Sequence, residues 1–228
     1  LHGQGNDYLY EYYKLDDINS MPYDINNNNF IVGHKNNLPY YWKINYENNN
    51  FIKKDENYIK NKEGIAYAIN NNNQIVGYYR DTSITNRAFI YEPLSGINLN
   101  LKGLGGGKAR AHDINDFSQI IGYDVKNGEY RTCLWNYNPN DTKIITFENK
   151  GDTFDFSFGL SINNNGYFAG YATSGRDTRG FSYNGDKINT LGTLGSGNWS
   201  KANNINDNYK VVGLSEYLSN NNDRHAAL

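Results

Sequence analysis

A nine-residue pattern recurs five times along this chain and limits its fold more than any other feature. Each copy begins with Ile-Asn, continues through a polar stretch and ends with a short apolar run closed by glycine. The copies are INNNNFIVG at 25 to 33, INNNNQIVG at 69 to 77, INDFSQIIG at 114 to 122, INNNGYFAG at 162 to 170 and INDNYKVVG at 205 to 213. They begin about 43 to 48 residues apart, which is the size of a four-stranded supersecondary unit. We therefore interpret residues 1 to 228 as a single domain of five tandem units.

The pattern of each unit predicts four β-strands. The first strand ends in Ile-Asn, the second is the apolar run closed by glycine, the third carries alternating aromatic residues, and the fourth is a weaker apolar stretch. The first strands are expected to begin near residues 23, 67, 112, 160 and 203. Asn and Gly after them favour primed hairpin turns, with Asn165-Gly166 the strongest signal. No helical periodicity persists for three turns, so we expect an all-β fold.

Four-stranded units of about 45 residues predict a five-bladed β-propeller, in which each unit is one blade and neighbouring blades pack face to face. The competing solenoid, a parallel β-helix, has much shorter repeats. The fifth unit lacks a fourth strand, and we expect residues 1 to 18 to close the ring with a strand that lies within residues 7 to 18. Two segments, 8 to 12 and 225 to 228, compete for the third strand of the last blade.

Composition excludes several classes of protein. A net charge of −2 and a pI near 6.1 leave no basic surface for nucleic acid or an anionic membrane. No apolar run is long enough to span a bilayer, and the first residues do not form a signal segment. The single cysteine, Cys133, rules out an internal disulfide. We expect a monomer that neither inserts into membranes nor binds nucleic acid.

Several segments together resemble the HAF repeat family, whose members are described as extracellular repeat proteins. The matching segments are AYAIN at 66 to 70, AHDIN at 111 to 115, RAF at 87 to 89, LKGLGGG at 101 to 107 and LGTLG at 191 to 195. The first unit lacks the glycine loop, the third unit has residues 150 to 157 in its place, and the last unit has HAA where the family has HAF. The resemblance implies a repeat protein that is secreted or lies at the cell surface. It implies no catalytic residues.

The asparagine after each repeated isoleucine has two interpretations. The five side chains could form a ring that holds a ligand or ion on the axis, or each could close its own hairpin by bonding backbone groups. We favour the second interpretation, because such a turn needs asparagine whatever the function. These residues are Asn26, Asn70, Asn115, Asn163 and Asn206. Residues 113 to 119 resemble a calcium loop but lack its glycine and distal glutamate, so we expect neither a metal nor another cofactor.

Two further features are predicted to be structural. The glycine-rich loops at 101 to 110 and 191 to 200 do not precede a helix, so they lack the amide array that binds phosphate. We interpret them as passages from the outer strand of one blade to the inner strand of the next. The aromatic residues of the third strands are expected to pack between blades and not to form a stacking platform.

An enzymatic alternative rests on two carboxylates. Five-bladed propellers can carry glycoside hydrolase chemistry, in which one carboxyl group acts as an acid and another as a nucleophile or base. Asp24 and Asp113 precede the Ile-Asn pair in units one and three and could project toward the axis. The other three units have Ala68, Ser161 and Asn204 there. Carboxylates scattered in this way favour a surface more than an active site, so we expect no enzymatic activity.

We therefore predict a non-enzymatic binding module, either a lectin-like carbohydrate binder or a protein-interaction scaffold. The asparagine turns are short and uniform, whereas the loops at the opposite end vary in length and chemistry, and binding residues are commonly found in such loops. The candidate binding residues are Arg80, Arg110, His112, Phe154, Phe156 and Trp199. In the alternative interpretation, the three aromatic residues fill the channel or the junctions between blades.

Overall fold

The computed structural model describes residues 19 to 47, 50 to 138, 143 to 146, 155 to 217 and 224 to 227. Over these ranges the chain forms nineteen β-strands and no helix, which confirms the all-β prediction. Accordingly, these ranges contain no helix that is long and apolar enough to cross a membrane.

The strands form five antiparallel sheets, each built from strands that are consecutive in the chain. Sheet 1 contains β1 (Ser20–Ile25), β2 (Phe30–Lys35), β3 (Leu38–Glu47) and β4 (Asn50–Tyr58). Sheet 2 contains β5 (Gly64–Ile69), β6 (Ile75–Arg80), β7 (Asn86–Glu92) and β8 (Ile97–Asn100), and sheet 3 contains β9 (Arg110–Ile114), β10 (Gln119–Lys126), β11 (Glu129–Asn136) and β12 (Lys143–Thr146). Sheet 4 contains β13 (Phe156–Ile162), β14 (Phe168–Ser174), β15 (Asp177–Tyr183) and β16 (Ile188–Thr190), and sheet 5 contains β17 (Ser200–Ile205), β18 (Val211–Glu216) and β19 (Arg224–Ala227).

Each sheet corresponds to one predicted unit. In sheet 5 the third strand is β19, because Leu214 of β18 pairs with Ala226. Residues 225 to 227 therefore occupy the position for which two segments competed. The other segment, 8 to 12, and the whole predicted closing strand within 7 to 18 lie outside the described residues.

The turn after each first strand is not the primed turn that we expected. The amide of Gly166 donates to the carbonyl of Asn163 at 3.0 Å, which closes a four-residue turn. Of the pair Asn165-Gly166, only Gly166 has a positive φ, at 77°. Such a turn places one left-handed residue at its end, whereas a type I′ turn needs two. Paired positive φ values occur instead between second and third strands, at Asn36-Asn37 and Asn127-Gly128.

The glycine that closes each second strand faces a bulge in the first strand. In sheet 2, pairing between the two strands shifts between Ala66 and Ala68, so Tyr67 is the extra residue. A Cβ on the opposing Gly77 would lie 2.0 Å from the carbonyl oxygen of Ile65. The equivalent glycines of the other sheets, which are Gly33, Gly122, Gly170 and Gly213, meet a carbonyl at the same distance of 2.0 Å. The repeated glycine is therefore required by a close approach of two backbones.

The cores lie between neighbouring sheets. Val76 and Ile90 of sheet 2 pack against Ile120 and Trp135 of sheet 3 in one buried cluster. The indole nitrogen of Trp135 donates to the carbonyl of Lys102 at 2.8 Å, which fixes the glycine-rich passage between the two sheets. Trp135 of the third strand therefore fills the junction between sheets 2 and 3, as the sequence predicts.

Candidate functional site

The asparagine of each turn caps its own hairpin. In the second turn, the Oδ1 atom of Asn70 accepts hydrogen bonds from the amides of Asn72 at 3.1 Å and Gln74 at 2.9 Å. The same two bonds occur in each of the other four turns. This confirms the structural interpretation of the five asparagines, because their oxygens are committed to the backbone.

The other end of each carboxamide joins one sheet to the next. The Nδ2 atom of Asn26 donates to the carbonyl of Asn70 at 2.9 Å, and Asn70 repeats this bond to Asn115 at 2.9 Å. Asn115 donates to Asn163 at 3.0 Å, and Asn163 to Asn206 at 2.9 Å. We call this series, with the bonds that run beside it, the asparagine ladder.

A second rung of the ladder uses the residue after the asparagine. The amide of Asn71 donates to Oδ1 of Asp116 at 2.8 Å, and the amide of Asn164 donates to Oδ1 of Asp207 at 2.8 Å. A hollow of about 350 Å³ lies between the five turns and is lined by all five. Because its asparagine and aspartate side chains are bonded within the ladder, this end holds the sheets together. We call it the turn end, and the opposite end of the sheets the loop end.

Asp24 and Asp113 also join neighbouring sheets. The carboxylate of Asp24 accepts from the amide of Ile69 at 2.9 Å, and that of Asp113 accepts from the amide of Ile162 at 2.8 Å. Burial raises the pKa of Asp113 to about 6, although hydrogen bonds from backbone amides and Ser161 oppose this, and the charge of Asp24 contributes to the rise. Burial likewise raises the pKa of Asp24. Each of the two carboxylates therefore has a structural partner in the next sheet.

A belt of aromatic rings continues from sheet to sheet beyond these carboxylates. The bulges place Tyr23, Tyr67 and His112 on one side, with ring centroids 5.7 Å and 4.8 Å apart in that order. Successive ring centroids are then 5.4 Å apart from His112 to Tyr123, 5.0 Å from Tyr123 to Phe158 and 4.7 Å from Phe158 to Tyr171. These six residues are here called the axial belt. A bulge redirects a side chain, so the irregularity that requires glycine also places Tyr23, Tyr67 and His112 in the belt.

Two cations lie over rings beside the belt. The guanidinium of Arg110 is 4.2 Å from the centroid of Tyr78, and the ammonium of Lys201 is 5.3 Å from that of Tyr171. Both precede the bulge in their strands, on the side of the loop end. The pKa of His112 falls to about 4, mainly through burial and further through the charges of Arg110 and Lys201. Arg110 of sheet 3 and Lys201 of sheet 5 therefore both lie near enough to His112 for their charges to affect it.

The predicted binding residues do not all meet. The structure brings Arg110 and His112 together at the belt. Arg80 forms an ion pair with Glu63 at 2.9 Å and lines a separate pocket of about 270 Å³ with His34 and Tyr78.

The predicted aromatic residues also lie apart from the belt. The ring centroids of Phe156 and Tyr130 are 5.9 Å apart, and the guanidinium of Arg224 lies 4.0 Å from the ring centroid of Trp199. Phe154 lies outside the described residues. The predicted set therefore divides into a belt pair and separate positions at the loop end.

The sequence interpretation missed several belt residues. Tyr67 and Tyr123 were not selected, because aromatic residues in repeated strands were assigned to packing. Lys201, which lies beside the belt, was not selected either. A signal was present, since Tyr123 and Tyr171 both directly follow the repeated glycine. Asp124 was also missed, and its buried carboxylate accepts from the amides of Leu104 at 2.6 Å and Lys108 at 3.0 Å to hold the glycine loop.

The described residues hold no group of three or more His, Cys, Asp and Glu side chains placed to bind a metal. No family model matches the chain, and no curated protein matches it. The HAF relationship therefore stays a prediction.

Solved structures do share this architecture. One is TolB from Acinetobacter baumannii, a β-propeller protein, with a TM-score of 0.56 and 10% sequence identity. The match covers 87% of this chain and 49% of TolB, so the chain spans about half the length of that protein. A likeness at this identity concerns the fold alone. The five sheets therefore form a β-propeller-like array.

Proposed function

We propose that the protein is a non-enzymatic binding module whose ligand enters at the loop end and reaches the axial belt. The observation that carries the proposal is the belt itself, where Arg110 and Lys201 lie over Tyr78 and Tyr171 and their charges both act on His112. Charged and polar groups gathered among half-buried aromatic rings are typical of ligand sites. The turn end has the opposite character, because most of its asparagine and aspartate side chains are bonded within the ladder.

A comparison of two double variants tests which end binds. A glycan array and a protein pull-down first supply the ligand, as either a carbohydrate or a protein. Arg110→Ala with Lys201→Ala should weaken its binding at least tenfold, whereas Asn28→Ala with Asn72→Ala at the turn end should leave affinity unchanged. Loss of binding in the turn variant alone would contradict the proposal. Melting curves of the wild type and the two double variants separate lost affinity from lost folding.

We further propose that the five sheets close into a ring. The turn of sheet 5 carries hydrogen-bond donors of the ladder, and the turn of sheet 1 carries the acceptors that would match them. Along the repeat, Asn206 would donate to the carbonyl of Asn26, and the amide of Asp207 to Oδ1 of Asn27. Ile25 is 60% exposed and Val212 is 46% exposed, whereas the matching residues Ile69 and Val76 of sheet 2 are buried. Contact between the two end sheets would cover this apolar surface.

A groove beside sheet 5 supports the predicted closing segment. It has a volume of about 530 Å³, lies between sheets 4 and 5, and is lined by Leu191 and Val211 among others. In sheet 3 the matching residues Leu101 and Ile120 pack against Trp135. No side chain described in sheet 5 takes the place of that tryptophan.

We propose that the closing strand within residues 7 to 18 lies beside β19 and that tyrosines within residues 8 to 13 fill the groove. Deleting residues 1 to 18 should then lower the melting temperature and cause self-association. A truncated protein that stays monomeric with an unchanged melting temperature would contradict this closure.

A glycoside hydrolase is the second candidate, because burial raises the pKa of Asp113 to about 6 and the charge of Asp24 adds to the rise. A carboxyl group with such a pKa can act as a general acid near neutral pH. Hydrolysis of an oligosaccharide by the wild-type protein, lost in both Asp24→Asn and Asp113→Asn, would establish it. Retention of any hydrolysis in both variants would exclude these residues as its carboxylates.

Three expectations remain proposals beside these. We propose that the chain is related to the HAF repeat family, that it acts as a monomer, and that it is secreted or lies at the cell surface. Localisation of a tagged protein and its mass in solution test the last two.

A further inference from the structure

Three cations at the loop end have no carboxylate partner among the described residues. Arg110 and Lys201 lie over Tyr78 and Tyr171, and Arg224 lies over Trp199 at 4.0 Å. None of the three is paired with an acid in the part of the chain that the structure describes. Several other surface cations in these ranges are paired, among them Arg80 with Glu63 at 2.9 Å and Lys62 with Asp81 at 2.6 Å.

The unpaired cations also repel one another. Burial lowers the pKa of Lys201, and the charge of Arg224 lowers it further. Like charges held together in partly buried positions cost stability, and a bound anion removes that cost. The acids deeper along the axis do not serve as this anion, because Asp113 and Asp24 accept bonds from the amides of Ile162 and Ile69.

The axial belt beside these cations presents tyrosine hydroxyls. In the described structure, the hydroxyls of Tyr23, Tyr123 and Tyr171 make no hydrogen bond, so they can donate to or accept from a ligand. Tyr123 lies near enough to Arg110 to feel its charge. Burial raises the pKa of Tyr123 to about 12, while the charge of Arg110 opposes this and Tyr67 and Tyr171 add to it.

The ring faces in the belt are largely occupied by one another. Tyr67 and His112 stack with a centroid distance of 4.8 Å, and Phe158 and Tyr171 with one of 4.7 Å. A ligand that enters therefore meets hydroxyl tips and cations and few free aromatic faces. A hydroxyl-rich, negatively charged molecule matches this surface.

We propose that the axial belt and the cations beside it bind an acidic carbohydrate, with its carboxylate or sulfate bonded by Arg110 and Lys201 and its hydroxyl groups bonded to Tyr123 and Tyr171. This inference rests on the proposed function and names the ligand class of the same site. A narrow oligosaccharide end can reach side chains recessed among five strands. The surface of a folded protein cannot approach them as closely.

Titration calorimetry with defined oligosaccharides tests the proposal. Oligogalacturonate and a sulfated oligosaccharide are compared with a neutral oligosaccharide of similar length and with an acidic peptide. We expect at least one acidic oligosaccharide to bind, with an affinity that falls as salt is raised, and the neutral one to bind at least tenfold more weakly. The two acidic sugars show whether carboxylate or sulfate is preferred.

Matched variants locate the bound acid. Lys201→Gln keeps a stem over Tyr171 but removes the charge, and should weaken binding about tenfold or more. Arg110→Lys keeps the charge but loses the planar fork, so binding should fall by a smaller factor. Lys43→Gln is the control, because Lys43 also covers a ring, that of Phe30 at 4.4 Å, but bonds the carbonyl of Asn28 at the turn end.

The outcomes separate the ligand class from the site. Equal binding of the neutral sugar, binding of the acidic peptide alone, or no binding of either acidic sugar would overturn the acidic carbohydrate. A different ligand that is lost in Arg110→Ala with Lys201→Ala would leave the binding module in place. Binding that survives those changes but is lost in the turn variant would overturn both.

Discussion

Two residue types shape each unit through contacts with the backbone. Glycine at the end of the second strand admits the carbonyl of the bulged first strand, and asparagine caps the turn between them. The pattern that recurs in the sequence is therefore a pattern of backbone contacts. The third-strand residues opposite the apolar run vary more between units, as Trp42, Tyr91, Trp135 and Tyr183 do.

Gly77→Val should lower the free energy of unfolding by about 3 kcal/mol, because its Cβ would overlap the carbonyl of Ile65. Gly122→Val should behave alike. The control is Gly192→Ala, since nothing lies within 4 Å of the added Cβ there, and its change should stay within about 0.5 kcal/mol. Chemical denaturation measures all three variants. Wild-type stability in both valine variants would mean that the backbones do not approach closely.

Asp113 should make stability depend on pH. Its pKa of about 6 in the folded protein lies above its value of about 3.9 in the unfolded chain. Between these values the folded state binds more protons, so the contribution of Asp113 to the free energy of unfolding falls as pH rises through this window. His112, whose pKa is lowered to about 4, changes stability in the opposite sense over much of the same range.

The comparison of Asp113→Asn with the wild type isolates the aspartate, because His112 is present in both proteins. The melting temperature of the variant, relative to the wild type, should rise from pH 4 to pH 7. The full effect corresponds to at most about 3 kcal/mol. A relative melting temperature that is constant or falls over this range would contradict the account of Asp113.

At the scale of elements, the turns form a ladder with one missing rung. The residue two positions after the repeated asparagine donates to the next turn at Asn28 (2.8 Å), Asn72 (2.7 Å) and Asn165 (3.0 Å). In the third turn this position is Phe117, which is 72% exposed and has no such donor. The junction between sheets 3 and 4 therefore has one cross-sheet bond fewer.

Phe117→Asn should restore the rung to the carbonyl of Asn164 and raise the free energy of unfolding by about 1 kcal/mol. Phe117→Ala removes the same exposed ring without adding a donor, so it is the matched control. Thermal melts of the two variants give the difference. Equal stability of the asparagine and alanine variants would show that the rung contributes nothing.

The strands were predictable because their signals are local. Ile-Asn, the apolar run and the glycine lie within nine residues, and each sheet falls on its predicted unit. The ladder was not predictable, because the partner of Asn70 is the backbone of a turn about 45 residues away. The belt was missed for a related reason, since Tyr67 points to the axis only because its strand bulges opposite Gly77.

At the scale of the whole molecule, the two ends of the array have different tasks. The turn end joins the sheets through bonds that repeat from sheet to sheet. The loop end presents Arg110 and Lys201 beside the belt, and it is the end that we propose to bind the ligand. This division requires the sheets to surround one axis, and it is complete only if sheet 5 also meets sheet 1.

Closure of the ring is tested most directly by the cost of removing one donor, Nδ2 of Asn206. Asn163→Asp keeps the oxygen that caps its turn but loses the bond to Asn206 of the next sheet, which measures 2.9 Å. Asn206→Asp makes the same change at the junction between sheets 5 and 1. Asp207 lies beside both substituted positions, so the added charge meets the same neighbour in each variant. Denaturant unfolding of both variants is compared with the wild type. A closed ring predicts that both lose a similar free energy of unfolding, about 1 to 2 kcal/mol. A loss in Asn163→Asp with none in Asn206→Asp would contradict closure.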